Sequence, residues 1–301
     1  MRFVTTRDGT ELYVKQWGHG QPVLLIHGWP LSADTFDDLA VTLADAGLRA
    51  IAYDRRGFGR SSQPVSGYDY DTLADDLAAV MAATDAEDAT LVGFSMGGGE
   101  VARFMRRHDG AGVSRAVLIA AVVPYMLKSA DNPAGVEPQV FADMAAAIRA
   151  DRAHFWTGFF KDFYGVGVLS QPVSDEVRAW SAAQAMQAGL RATLACAEAF
   201  ASTDFRADLA SFRVPTLLLH GTNDATVPID TSARRATAGI PNSRLIEYDG
   251  APHGLLATHK DQVAADVLAF ILGNDARRAA PANRSSDVLP GPLETGLTAF
   301  S

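Results

Sequence analysis

The chain has 301 residues, 48% of them apolar and 20% charged, enough to bury a full core in one large domain. Its 26 Lys and Arg against 35 Asp and Glu leave a formal net charge of −9, which opposes attraction to nucleic acid or to an anionic membrane surface. The single cysteine, Cys196, excludes an intrachain disulfide and a Cys-built metal cluster, and its neighbours Leu194, Ala195 and Ala197 mark it as a small buried hydrophobe.

The opening stretch MRFVTTRDGTELYVKQW alternates like strand and lacks an apolar signal core, with a hairpin turn expected at Asp8-Gly9. No apolar run approaches the length needed to span a bilayer, so the expectation is a soluble, cytoplasmic protein. Strand and helix patterns then alternate. Pro22 to Ile26 is a continuous apolar run, as a strand covered on both faces requires, and 34–46 carries Phe36, Leu39 and Leu43 at helical spacing. Strand is expected at 48–53, 89–94 and 113–121, with helix at 70–83 and 101–107 between them. Past residue 213 the alternation resumes as strand 214–220, helix 231–238, strand 244–248 and helix 262–272. This order predicts an α/β fold with a mainly parallel central sheet and helices on both faces.

Between 124 and 213 the rhythm changes to alanine-rich and aromatic helix-forming sequence. The expected organisation is therefore a core of residues 1–123 and 214–273, with a helical cap, 124–213, inserted between two strands. Residues 274–301 are rich in Pro, Ser and Gly without a period and read as a flexible extension, with Leu289, Leu293 and Phe300 as its apolar docking candidates.

Gly93-Phe94-Ser95-Met96-Gly97 fits G-x-S-x-G where that pattern has mechanical meaning, after a strand and before a helix. A serine hydroxyl is a weak nucleophile and needs a base, and the base needs a carboxylate to fix its tautomer. Of the histidines past the serine and outside the helical region, His220 ends a strand, His259 opens the last helix, and His253 sits in a Gly/Pro-shaped loop between the last strand and helix. That loop makes His253 the expected base. Asp224, four residues beyond His220, is the expected acid in preference to Asp249. The oxyanion needs two N–H donors. Met96, at the helix start, and Trp29, in His27-Gly28-Trp29-Pro30, are the expected pair. Asp54 reads as a loop organiser, His27 as support behind the oxyanion loop, and Arg55 and Arg56 as solvated or structural, since no GK[ST] or dinucleotide pattern accompanies Gly57 and Gly59. Gly98 and Gly99 read as keeping the first helical turn thin against the sheet. No metal-ligand spacing is present.

Together HGWP, YDRRGFGRSSQP, GFSMGGGE, HGTNDATVP and GAPHG resemble the α/β-hydrolase superfamily, and more narrowly the bacterial arylesterases also called cofactor-free haloperoxidases or perhydrolases. The resemblance covers about residues 1–273 and implies Ser95 as nucleophile, His253 as base and acid, Asp224 as orienting acid, and Trp29 and Met96 as oxyanion donors. It also implies a small acyl pocket, for which Tyr125, Phe141, Phe159, Phe163, Val227 and Ile229 are candidates, and chemistry without cofactor or metal. Proline after the oxyanion tryptophan is common among members of this group that make peracids. The implied activity is hydrolysis of small carboxylic or aryl esters, with peracid formation from peroxide. A lactonase or small-lactam amidase would use the same triad, as would a C–C bond hydrolase; a non-catalytic ligand-binding protein is the reading from another class. The expected partner is a small-molecule ester or lactone, with no nucleic acid or membrane, and homo-oligomerisation is left open.

Overall fold

A computed structural model describes residues 2–273; the expected extension, with Leu289, Leu293 and Phe300, lies outside the described residues. Eight strands form one sheet in the order β1-β2-β4-β3-β5-β6-β7-β8. They are β1 (Phe3–Thr5), β2 (Glu11–Trp17), β3 (Pro22–Ile26), β4 (Arg49–Tyr53), β5 (Ala89–Phe94), β6 (Val113–Ile119), β7 (Thr216–Gly221) and β8 (Ser243–Tyr248). The first hairpin and the β2–β4 pairing are antiparallel, and every pairing from β4 through β8 is parallel. Burial explains the sequence patterns: β3, β5 and β7 are buried at every position and, His220 of β7 excepted, are apolar or small, whereas the edge strand β8 has only Tyr248 fully buried.

The helices are α1 (Asp37–Asp45), α2 (Tyr70–Ala83), α3 (Met96–Arg107), α4 (Pro138–Phe163), α5 (Asp175–Gln187), α6 (Leu190–Ser202), α7 (Ala233–Gly239), α8 (Leu255–Thr258) and α9 (Lys260–Ile271). From β3 the chain crosses through α1 to β4 on one side, then returns through α2 past β3 to β5 on the other. Right-handed crossovers travelling in opposite directions put α1 on one face of the sheet and α2 and α3 on the other. Helix α9 joins α1, and α2 packs on α3. The reversal of strand order at β3 opens a crevice at the carboxyl ends of the strands, where ligands bind in folds of this kind.

Helices α4, α5 and α6 fall between β6 and β7, where the sequence predicts helix. Within α4, Asp151 leaves helical geometry (φ −155°, ψ 91°) and its carboxylate accepts the His154 N–H at 2.9 Å. It caps the second half of the helix as an N-cap residue does. That second half carries Trp156, Phe159, Phe160 and Phe163 down onto the crevice. Among the described residues no helix is long and apolar enough to cross a membrane.

Candidate active site

Ser95 joins β5 to α3 with φ 54° and ψ −117°, a conformation that L-residues hold only where the surroundings enforce it. The enforcement is visible. Its N–H donates to Ile119 O at 2.8 Å, and a Cβ on Gly93 would meet Gly97 O at 2.5 Å, while one on Gly97 would meet Ile26 O at 2.2 Å. Helix α3 therefore starts at Met96, five residues before the sequence suggests, because the glycines that permit the close approach hide its beginning from propensity. Gly98 lies against the chain just past β6, where an added Cβ would stand 2.3 Å from Ala121 Cβ. Gly99 faces the rings of Phe205 and Tyr70 rather than the sheet, which corrects the sequence expectation for that glycine. Gly98→Ala is expected to lower stability by about 1–3 kcal/mol through overpacking, more than the helix propensity it gains. It should also slow turnover, because the displaced Val122 N–H donates to Ser95 O at 3.3 Å. Urea unfolding and initial rates on one ester check both, and a stabilised, fully active variant would contradict the packing argument.

Ser95 Oγ lies 2.9 Å from His253 Nε2, and His253 Nδ1 lies 2.7 Å from Asp224 Oδ2. The three come from the carboxyl ends of β5, β7 and β8, and are 6%, 5% and 1% exposed in the order Ser95, Asp224, His253. Asp224 is nearly sealed from water. Burial alone would raise its pKa, but His253 and His220 beside it hold its carboxyl well below the usual carboxylate range. Its other oxygen, Oδ1, accepts N–H groups from Thr226 at 2.9 Å and Val227 at 2.7 Å. Asp249 instead receives Thr222 Oγ1 at 3.3 Å on the exposed side, and His259 pairs with Thr258 Oγ1. A hydroxyl, an imidazole and a buried carboxylate linked in this order can generate an alkoxide-like nucleophile at neutral pH.

Met96 N–H is among the first N–H groups of α3, which have no acceptor within the helix. The loop after β3 reaches the same spot: a Cβ on Gly28 would stand 2.9 Å from Ser95 Cβ. This loop turns through a cis Trp29–Pro30 peptide and is closed by Leu31 N–H to Gly28 O at 3.0 Å. Trp29 points its indole the other way, into the helical segment, where Nε1 donates to Thr193 O at 2.9 Å and Trp156, Phe159 and Phe200 meet the ring edge to face. Behind the loop, His27 Nδ1–H donates to Gly28 O at 2.9 Å and Nε2 accepts Arg55 N–H at 2.9 Å. Burial, with the Arg55 charge beside it, holds the pKa of that imidazole well below its ordinary value, which suits a neutral strut. Arg55 and Arg56 are structural and not solvated: each is 1% exposed, Arg55 on Glu100 at 2.9 Å and Arg56 on Asp76 at 2.6 Å and Asp8 at 2.8 Å. Asp54 accepts Ala33 N–H at 2.9 Å and Arg60 N–H at 2.8 Å, so it ties the segment after the Trp29 loop to the next loop. Burial pushes the Cys196 thiol up to about 12, in keeping with an unreactive core residue.

The expected pocket residues divide. Phe163 packs edge-on against His253 at 4.9 Å between ring centres, Phe159 packs on Trp29 at 5.5 Å, and Val227 is buried beside Asp224. Ile229 is buried where the chain turns into α7. Tyr125 stays half-buried under the Arg206 guanidinium, 5.2 Å from its ring centre, and Phe141 packs on Phe200 in a cavity of about 810 Å³ between α4 and α6. That cavity is the larger one, yet Ser95, Asp224 and His253 are absent from its lining. A second cavity of about 430 Å³ is lined by Leu31, Phe94, Phe163 and Gly254, and so abuts the site. Phe94 and Val122 were not singled out in the sequence. Phe94 faces His253 at 5.3 Å, and it carries a signal in retrospect, as the residue just before the serine. Val122 carries none, because it lies in irregular chain past β6.

A family profile described as the alpha/beta hydrolase fold matches residues 21–260, and the chain belongs to that family. It is 42% identical over 277 residues to the non-heme chloroperoxidase CPO-A1 of Kitasatospora aureofaciens, covering 90% of this chain and 99% of that one. The bifunctional esterase/perhydrolase DCH of Acinetobacter calcoaceticus is 39% identical over 274 residues, with the same two shares of 90% and 99%. Among solved structures, a bromoperoxidase from Bacillus anthracis superposes with a TM-score of 0.87 at 40% identity, over 90% of this chain and 99% of that one. The protein is thus a serine-hydrolase-type α/β hydrolase with haloperoxidase and esterase/perhydrolase relatives.

Proposed function

We propose that this protein hydrolyses small carboxylic and aryl esters through an acyl-enzyme on Ser95, and that hydrogen peroxide replaces water as acyl acceptor to give a peracid. The observation that carries the reading is the hydrogen-bonded chain from Ser95 Oγ through His253 to Asp224, at 2.9 and 2.7 Å. His253 Nε2 takes the Ser95 proton as Oγ attacks the ester carbonyl, and Asp224 holds the imidazolium that forms. Met96 and Trp29 N–H groups receive the oxyanion. The leaving alcohol departs with the proton from His253. Water, deprotonated by the same imidazole, then releases the carboxylic acid; peroxide in its place releases the peracid. The peracid oxidises halide away from the protein, which accounts for haloperoxidase relatives without assigning a halide site.

Phe159, Phe163 and Val227 form the acyl wall in this reading, and residues 124–213 act as the cap that carries the aromatic part of it. Lactones and small lactams would meet the same groups and belong in the substrate panel. A fluorophosphonate should inactivate the enzyme with one equivalent bound, and peptide mass spectrometry should place the adduct on Ser95. The same preparation should cleave p-nitrophenyl acetate and, given acetate ester plus peroxide, form peracetic acid. Absence of both labelling and turnover across the panel would overturn the hydrolase reading; turnover without peracid would remove only the perhydrolase half.

A further inference from the structure

We infer that His220 is a positioning residue for Asp224: its Nε2–H, hydrogen-bonded to Val227 O, also stands 3.2 Å from the carboxylate that holds His253, and so sets how firmly that carboxylate grips the base. The inference rests on the Ser95–His253–Asp224 reading above.

His220 is the penultimate residue of β7, and its side chain is 1% exposed. Its Nε2 lies 2.8 Å from Val227 O and 3.2 Å from Asp224 Oδ2. A carbonyl oxygen only accepts, so the proton is on Nε2. Nδ1 is buried without a partner. A second proton there would be an N–H with no acceptor in a dry environment, which is costly, so the ring is held as a neutral Nε2–H donor. A core histidine with an incidental contact would have no reason to direct its donor at the acid loop. Here that loop is clamped from both ends: Val227 gives its N–H to Asp224 Oδ1 at 2.7 Å and its carbonyl to His220.

Asp224 Oδ2 consequently bonds His253 Nδ1 at 2.7 Å and has the positive end of the His220 Nε2–H dipole 3.2 Å away, that N–H being bonded to Val227 O. A donor on an anionic oxygen draws off part of the charge that stabilises the imidazolium. The titratable groups around the pair are few. His253 and His220 face Asp224; Glu247, beside His220 in the β7–β8 register, interacts with it at longer range and is tied to Arg234 at 2.6 Å. From the helical segment the neighbour of His253 is the uncharged Phe163 ring. Removing the His220 donor therefore leaves Asp224 more charge to offer His253, which then keeps its proton to higher pH. The acid limb of kcat/KM moves upward, and the loosened loop lowers kcat.

The test pairs His220→Gln, whose amide NH2 reaches the place of Nε2, with His220→Asn, whose shorter side chain does not. Both are polar and neutral at every pH. In His220→Asn the acid limb of kcat/KM on p-nitrophenyl acetate should rise by about half to one pH unit, with kcat down roughly tenfold and KM little changed. His220→Gln should follow the wild type. The imidazole titration of His253, read by NMR without substrate, should move in step with the acid limb. An unshifted Asn variant, or Gln and Asn shifted alike, would overturn the inference. Should the Asn variant not fold, ¹⁵N-histidine spectra of the wild-type protein decide: neutral His220 must be the Nε2–H tautomer with a bare Nδ1, and an Nδ1–H tautomer sinks it. Because the NMR readings need no turnover, they are separable from a failure of the nucleophile assignment, which would surface as activity surviving Ser95→Ala.

Discussion

Ser95→Ala is expected to lower kcat/KM on p-nitrophenyl acetate by about 10⁴ to 10⁶ while leaving the fold intact. In the proposed mechanism the hydroxyl is the atom that bonds to the acyl carbon; His253 and the proposed N–H donors remain without it, so a residual rate above that of water is expected from them alone. The fold should survive because the hydroxyl is described in one hydrogen bond, to His253, while the backbone is held by Ile119 O and by Val122 N–H. Alanine at φ 54° suffers the same backbone strain as serine, so the substitution does not add to it. Circular dichroism and urea unfolding establish that the variant is native, and steady-state rates then report the chemistry. A native variant with wild-type turnover would remove Ser95 from the mechanism.

Ser95 stands out in the sequence for a steric reason. Gly93 and Gly97 are required where main chain passes within 2.2 to 2.5 Å of an added Cβ, and few other contexts impose that requirement on both sides of one residue. Likewise β3 and β5 could be read because burial on both faces leaves an uninterrupted apolar run. That His253 and Asp224 would come near Ser95 is legible because each occupies the loop at the end of a strand that is itself recognisable. Other features depend on how helices lie on one another, which periodicity does not encode. The break at Asp151 aims the second half of α4 at the site, so Phe159 and Phe163 arrive at Trp29 and His253 while Phe141, on the first half, goes to the outer cavity. Tyr125 precedes those helices in irregular chain and lies under Arg206 instead. The two arginines of YDRRGFG give no sign in sequence of being buried, since their partners Glu100, Asp76 and Asp8 come from α3, α2 and the β1–β2 turn. His220 was visible as a strand-end histidine, but its donor direction is set by the curl of the loop that follows.

Loss of the Glu100 carboxylate is the substitution expected to cost most in stability. Glu100 is in the second turn of α3, just past the glycines that bring the helix close, and is fully buried. Its Oε2 holds Arg55 Nε at 2.9 Å, its Oε1 receives the Tyr53 hydroxyl, and Arg55 Nη2 donates onward to His27 O at 2.7 Å. The guanidinium cannot give up its proton. Glu100→Leu thus leaves a positive charge in the core without its counter-ion, and a destabilisation of about 3–5 kcal/mol is expected. A double variant, Arg55→Met with Glu100→Leu, removes the stranded charge and should recover most of that loss. Stability and catalysis are then expected to part. The double variant lacks the Arg55 donor that fixes His27 O, one residue before Gly28 and two before the Trp29 N–H, so kcat should stay depressed by about tenfold or more with KM little altered. Urea midpoints for both single variants and the double, set beside kcat and KM, complete the cycle. Additive losses in the two singles would mean the pair is not coupled, and full recovery of kcat in the double variant would mean that the buried ions serve the fold without steadying the Trp29 loop.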